Sequence, residues 1–161
     1  MPFAVYEACV VSLSDTEIML IGGAGNDQGV WNEVHKLTIG TGWEALAPMG
    51  TARVGGCAVL EGQEEVISAG GYTSGWAVTD TMEIYNVATN VWRYGASLPS
   101  LTAWSFCNHE NTVWIVGKEE DQVFKYDGSG QQWIHQTDIK SPGLAVGAII
   151  LVDVDDTLKC S

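Results

Sequence analysis

The side chains able to do chemistry are few in this sequence, and their spacing does not converge. Three histidines, His35, His109 and His135, are candidates for acid–base work or metal ligation. Either role needs partner groups within hydrogen-bond or coordination reach. No G-x-S-x-G segment and no phosphate-cradling glycine loop accompanies them, so neither an activated serine nor a nucleotide site is written here. The four cysteines, Cys9, Cys57, Cys107 and Cys160, form no CxxC pair of the kind zinc sites use. The acidic clusters Glu64-Glu65, Glu119-Glu120-Asp121 and Asp153-Asp155-Asp156 offer oxygen ligands, but none has the spacing of a calcium loop. They read as solvated turns. No catalytic residue, metal or cofactor is expected.

The same cysteines carry a different message. Cys9, Cys57 and Cys107 recur after 48 and 50 residues, and Trp43, Trp92 and Trp133 after 49 and 41. The first glycines of Gly22-Gly23, Gly70-Gly71 and Gly117-Lys118 are 48 and 47 residues apart. Three independent markers share one period, which defines a repeat. In the second unit, four short stretches rich in β-branched and aromatic residues read as strands: Gly55–Leu60, Glu65–Gly70, Thr81–Asn86 and Asn90–Gly95. Turn residues separate them. Runs such as Ile18-Met19-Leu20-Ile21 do not alternate, as expected of a strand covered on both faces. Four strands per unit, a period in the 40s and two-sided burial predict an all-β propeller.

A glycine pair, then Tyr, then Trp occurs as Gly70-Gly71, Tyr85 and Trp92, with Tyr126 and Trp133 in the third unit. Pro48–Arg53 leads into the next first strand. In these features the chain resembles the kelch-repeat family. Departures are Leu37 in the first Tyr slot, Lys118 in a Gly slot, and no glycine pair after Gly143–Val152. The resemblance implies a partial, open kelch-type β-propeller of three four-stranded antiparallel blades. The blades span about 5–49, 52–99 and 102–141, the first strand of a fourth spans 143–152, and a tail follows over 153–161. The repeat markers are structural: the glycines permit close approach or positive φ, the tryptophans fill the outer wedge between blades, and the inner cysteines pack as small soft groups.

With strands a to d running outward, the b–c and d–a connections share one face, and only short turns occupy the other. The b–c loops are Ala24–Glu33, Tyr72–Asp80 and Glu119–Gln122; the d–a connections are Ala47–Val54, Gly95–Thr102 and Asp138–Leu144. Arg53, Trp31, Tyr72, Trp76 and Trp104 stand out there as partner-binding candidates, because Arg and aromatic side chains dominate interface energetics. The competing reading of Trp31 and Trp76 is that they fold back over their own blades. Resemblance to kelch adaptors implies recognition of a partner protein or peptide. A second reading, implied by galactose-oxidase-like relatives, is a propeller acting on small polar substrates, although residues matching a copper site with its Cys–Tyr crosslink are missing.

The formal net charge of −13 disfavours nucleic acid; it reads first as a source of solubility, with a basic segment as partner the sharper alternative. No apolar run approaches the roughly 20 residues a membrane helix needs. Met1–Ser14 carries no basic residue ahead of its apolar stretch and does not read as a signal peptide. The compartment stays open, the cytoplasm being favoured over secretion. Three blades leave two blade faces uncovered, so self-association or membership of a larger ring is expected, the latter more than a half-ring that dimerises.

Overall fold

The structure, a computed structural model, describes residues 4–25, 29–61, 64–99, 103–109, 112–117 and 122–138. The fourth-blade strand expected over Gly143–Val152, the tail with Cys160, Lys118 and the acidic run Glu119–Asp121 lie outside the described residues. Three antiparallel four-stranded sheets follow one another along the chain. The first contains β1 (Cys9–Ser14), β2 (Glu17–Ile21), β5 (Val34–Thr38) and β6 (Gly42–Ala45). Between its second and third strands sits a hairpin, β3 (Ala24–Gly25) with β4 (Gly29–Val30), inside what the sequence offers only as a loop. The second sheet holds β7 (Cys57–Glu61), β8 (Glu65–Ala69), β9 (Met82–Asn86) and β10 (Val91–Tyr94). The third holds β11 (Ala103–His109), β12 (Thr112–Gly117), β13 (Gln122–Asp127) and β14 (Gln132–Asp138). The inner strand β7 lies beside both β1 and β11. The architecture is an open piece of a propeller.

Burial on both faces explains the unbroken apolar runs. In the middle blade Val66 pairs with Tyr85, and both face the first blade among Met19, Ile21 and Val34. Their neighbours Ile67, Ala69, Met82 and Ile84 face the third blade, against Val113, Ile115, Phe124 and Tyr126. Each such large aliphatic group, taken from water, contributes about 1.5–3 kcal/mol.

The outer wedge is closed by the repeat tryptophans. The Trp92 indole lies 5.0 Å from Tyr85 and donates Nε1–H to the Ala47 carbonyl of the preceding blade at 2.8 Å. Trp133 repeats this beside Tyr126, at 5.1 Å, donating to the Ala96 carbonyl at 3.3 Å. Trp43 pairs with Leu37, on the face of the first blade turned away from the second. The glycine pairs are needed for space as well as for conformation. Gly71 has φ +84°, and a β-carbon there would stand 2.6 Å from both the Val54 carbonyl and the Gly56 nitrogen.

The same repeat position therefore has two environments. Trp92→Ala is expected to lower stability by about 3–5 kcal/mol, as for a large buried aromatic. Trp43→Ala, over which no described blade packs, is expected to cost this chain about 1 kcal/mol, within the range of ordinary substitutions. Urea denaturation midpoints of the two variants check the ordering, which equal losses would contradict.

Candidate functional site

The connections on the b–c/d–a face are stitched together by backbone hydrogen bonds. Tyr6 and Ala24 exchange two bonds of 3.0 Å, and Val54 and Tyr72 exchange two of 2.9 Å. Gly23 donates to the Arg53 carbonyl at 2.9 Å, Arg53 to the Trp31 carbonyl at 3.0 Å, and Gly55 to the Glu7 carbonyl at 3.1 Å. A loop face so paired is a rigid platform, which suits recognition because little ordering entropy remains to be lost on binding.

Two of the candidate residues prove to build this platform rather than to be presented on it. Arg53 is 2% exposed. Its Nη2 meets the Glu83 carboxylate at 2.9 Å and the Thr81 hydroxyl at 3.1 Å, while Nη1 donates to the carbonyls of Gly70 and Thr81 at 2.9 and 3.1 Å. Glu83, equally buried, also accepts from the backbone N–H of Gly50 at 2.6 Å and of Thr51 at 3.0 Å. Burial pulls the Arg53 pKa down, and the Glu83 carboxylate opposes that shift. Trp31 folds back over its own blade: a β-carbon on Gly25 would stand 2.4 Å from the Trp31 ring. Trp104 stands within β11, at the irregularity between Ala103 and Ser105, and not in the connection before it. Its side chain lies outside the description.

Trp76 and Tyr72 remain at the surface. Trp76 is 69% exposed, at the tip of a turn closed by Thr73 N–H to Ala77 O at 2.8 Å. Its backbone is left-handed, φ +63°, a conformation that costs a bulky L-residue about 1–2 kcal/mol. The Tyr72 ring meets it edge-on, with centroids 6.0 Å apart. Between this turn and the first blade runs a groove of about 200 Å³, lined by Tyr6, Val30, Val54, Thr73 and Trp76 among others. Tyr6 and Val30 were not singled out from the sequence. The repeat offered a signal: shifting by the 48-residue cysteine interval lays Tyr6-Glu7-Ala8 on Val54-Gly55-Gly56. A larger hollow of about 410 Å³, lined by Thr112, Lys125, Asp127, Ile134 and Gln136 among others, borders the side of the third blade turned away from the second.

The Kelch motif family model matches residues 53–99. Kelch-like protein 40 of Xenopus tropicalis is 32% identical over 124 residues, which cover 73% of this chain and 19% of that protein. The chain belongs to the kelch-repeat family. Among solved structures, that titled "Structure of YjhT" shares this kelch architecture with a TM-score of 0.69 at 18% identity, over 86% of this chain and 53% of that one. At that identity the likeness speaks for the fold. The kelch blades here thus span about a fifth of Kelch-like protein 40 and about half of YjhT.

The Arg53–Glu83 pair is the buried charge of this kelch junction, and breaking it leaves an uncompensated ion. Arg53→Ala is expected to cost about 3–5 kcal/mol. In Arg53→Met/Glu83→Gln no charge is left buried and the amide oxygen can keep one of the two backbone donors, Gly50 or Thr51, so the double variant should lose less than Arg53→Ala alone. Chemical denaturation of both variants measures this. A double variant as unstable as the single one would contradict it.

Proposed function

We propose that this chain is a non-catalytic protein-binding module that engages a partner protein or peptide through the b–c/d–a face. The observation that carries the reading is Trp76, a large aromatic held in a strained backbone and turned outward beside a groove. Strain of this kind persists where the surroundings enforce it, and it clusters at ligand contacts. Membership of the kelch-repeat family and similarity to a kelch-like protein support a protein partner. The three histidines stand on separate strands. His35 lies in β5, His109 ends β11 and His135 lies in β14. Among the described residues no three His, Cys, Asp or Glu side chains are gathered as metal ligands would be.

The opposite face supplies a control, because Ile39 in its c–d turn is 70% exposed and apolar. A photo-crosslinking residue placed at position 76 should trap a discrete partner that one placed at position 39 does not. Tyr6→Ala/Trp76→Ala should lose that partner while Ile39→Ser keeps it. Trapping from position 39 alone, or retention by the double variant, would overturn the assignment of the face.

A further inference from the structure

The groove between the first two blades is too small for a drug-sized ligand, which needs about 300–1,000 Å³. At about 200 Å³ it has room for one long side chain. Aromatic residues stand on two of its sides, Tyr6 before β1 and Trp76 in the loop after β8. Glu7, the chain neighbour of Tyr6, adds a charge close by without itself lining the groove. The repeat uses Gly55 in the equivalent slot with φ +63°, and Glu7 adopts nearly the same backbone, φ +52°, although it carries a side chain. Its Oε2 and the Tyr72 Cδ2 lie 3.6 and 4.0 Å from where a β-carbon on Gly55 would stand, so the carboxylate sits next to the aromatic platform.

The described cations are engaged elsewhere. Lys36 pairs with Glu17 and Glu44, Arg53 with Glu83, and Arg93 with Glu65, while Lys125 lies over the Trp114 ring. Among the described residues no ion pair reaches Glu7 or Asp80 on the loop face. One carboxylate, Glu7, without a counter-ion among the described residues and close to two exposed aromatics, in a chain of net charge −13, is complementary to a cation.

Resting on the loop-face reading above, we propose that this groove takes a lysine or arginine side chain from an extended basic segment of the partner. Its stem lies against Tyr6, Val30 and Val54, and its charged end lies by Trp76 and Glu7. An acidic segment would meet like charge, and an uncharged aliphatic one would leave Glu7 without a counter-ion.

The test uses the whole chain and three synthetic peptides alternating serine with lysine or arginine, with norleucine or citrulline, or with glutamate. The Trp76 indole N–H resonance, identified by its loss in Trp76→Ala, is followed during each titration. The expected result is a saturable shift with the basic peptide and at least tenfold weaker binding of the other two. Binding should weaken two- to fivefold in Glu7→Gln, tenfold or more in Trp76→Ala, and further as salt rises from about 0.05 to 0.3 M, as for partly exposed charge pairs. Glu7→Gly, which installs the residue the repeat uses at this backbone angle, should match Glu7→Gln in binding while keeping or raising the thermal midpoint. Equal binding of the neutral peptide, no shift with any peptide, or basic-peptide binding indifferent to Trp76→Ala and Glu7→Gln would each overturn the proposal. A partner that crosslinks at position 76 through a neutral segment would remove only the cation proposal. A partner that does not use position 76 would remove the loop-face reading as well.

Discussion

A buried carboxylate cannot stay ionised in a protein interior without donors arranged around it, and Glu83 has three: the backbone N–H groups of Gly50 and Thr51 and the Arg53 guanidinium. That ion pair fixes the junction between the first two blades. The Arg53 side chain reaches the carbonyls at Gly70 and Thr81, where β8 ends and β9 begins. Its own N–H and C=O hold Trp31 and Gly23 in the b–c region of the first blade. One residue thus sets the separation between the two walls of the groove. Displacing it would disturb the groove although Arg53 does not itself line it.

At the next junction the equivalent position is uncharged. Phe124 occupies in β13 the place that Glu83 has in β9, and its ring meets His135 edge-on at 5.3 Å. A buried ion pair and an apolar substitute often differ little in stability. The charged version stands where the loop face carries its exposed aromatics. What the two junctions share is the Tyr–Trp wedge, whose indole N–H caps a carbonyl of the preceding blade.

Much of the architecture is legible in the sequence, because strand burial on two faces and the Tyr–Trp and glycine markers recur in phase. Glu65–Ala69 and Met82–Asn86 fall where the apolar runs lie. Connections are less legible, since their course depends on long-range hydrogen bonds that leave no periodic trace. Arg53 and Trp31 look like surface anchors by residue type, yet one is held by Glu83 and the other lies on Gly25. Tyr6 and Glu7 look like part of a strand entry until the 48-residue shift sets Glu7 on Gly55. Their role is written in the repeat's departure from itself.

The central claim is that partner contact is confined to the b–c/d–a face around Tyr6 and Trp76. Hydrogen–deuterium exchange of the chain, free and saturated with its crosslinked partner, tests this most directly. The account predicts slowed exchange at residues 6–8, 29–31 and 72–78, with no change in the c–d turns at 39–42 and 87–90. Protection concentrated in those turns, with residues 72–78 unchanged, would contradict it.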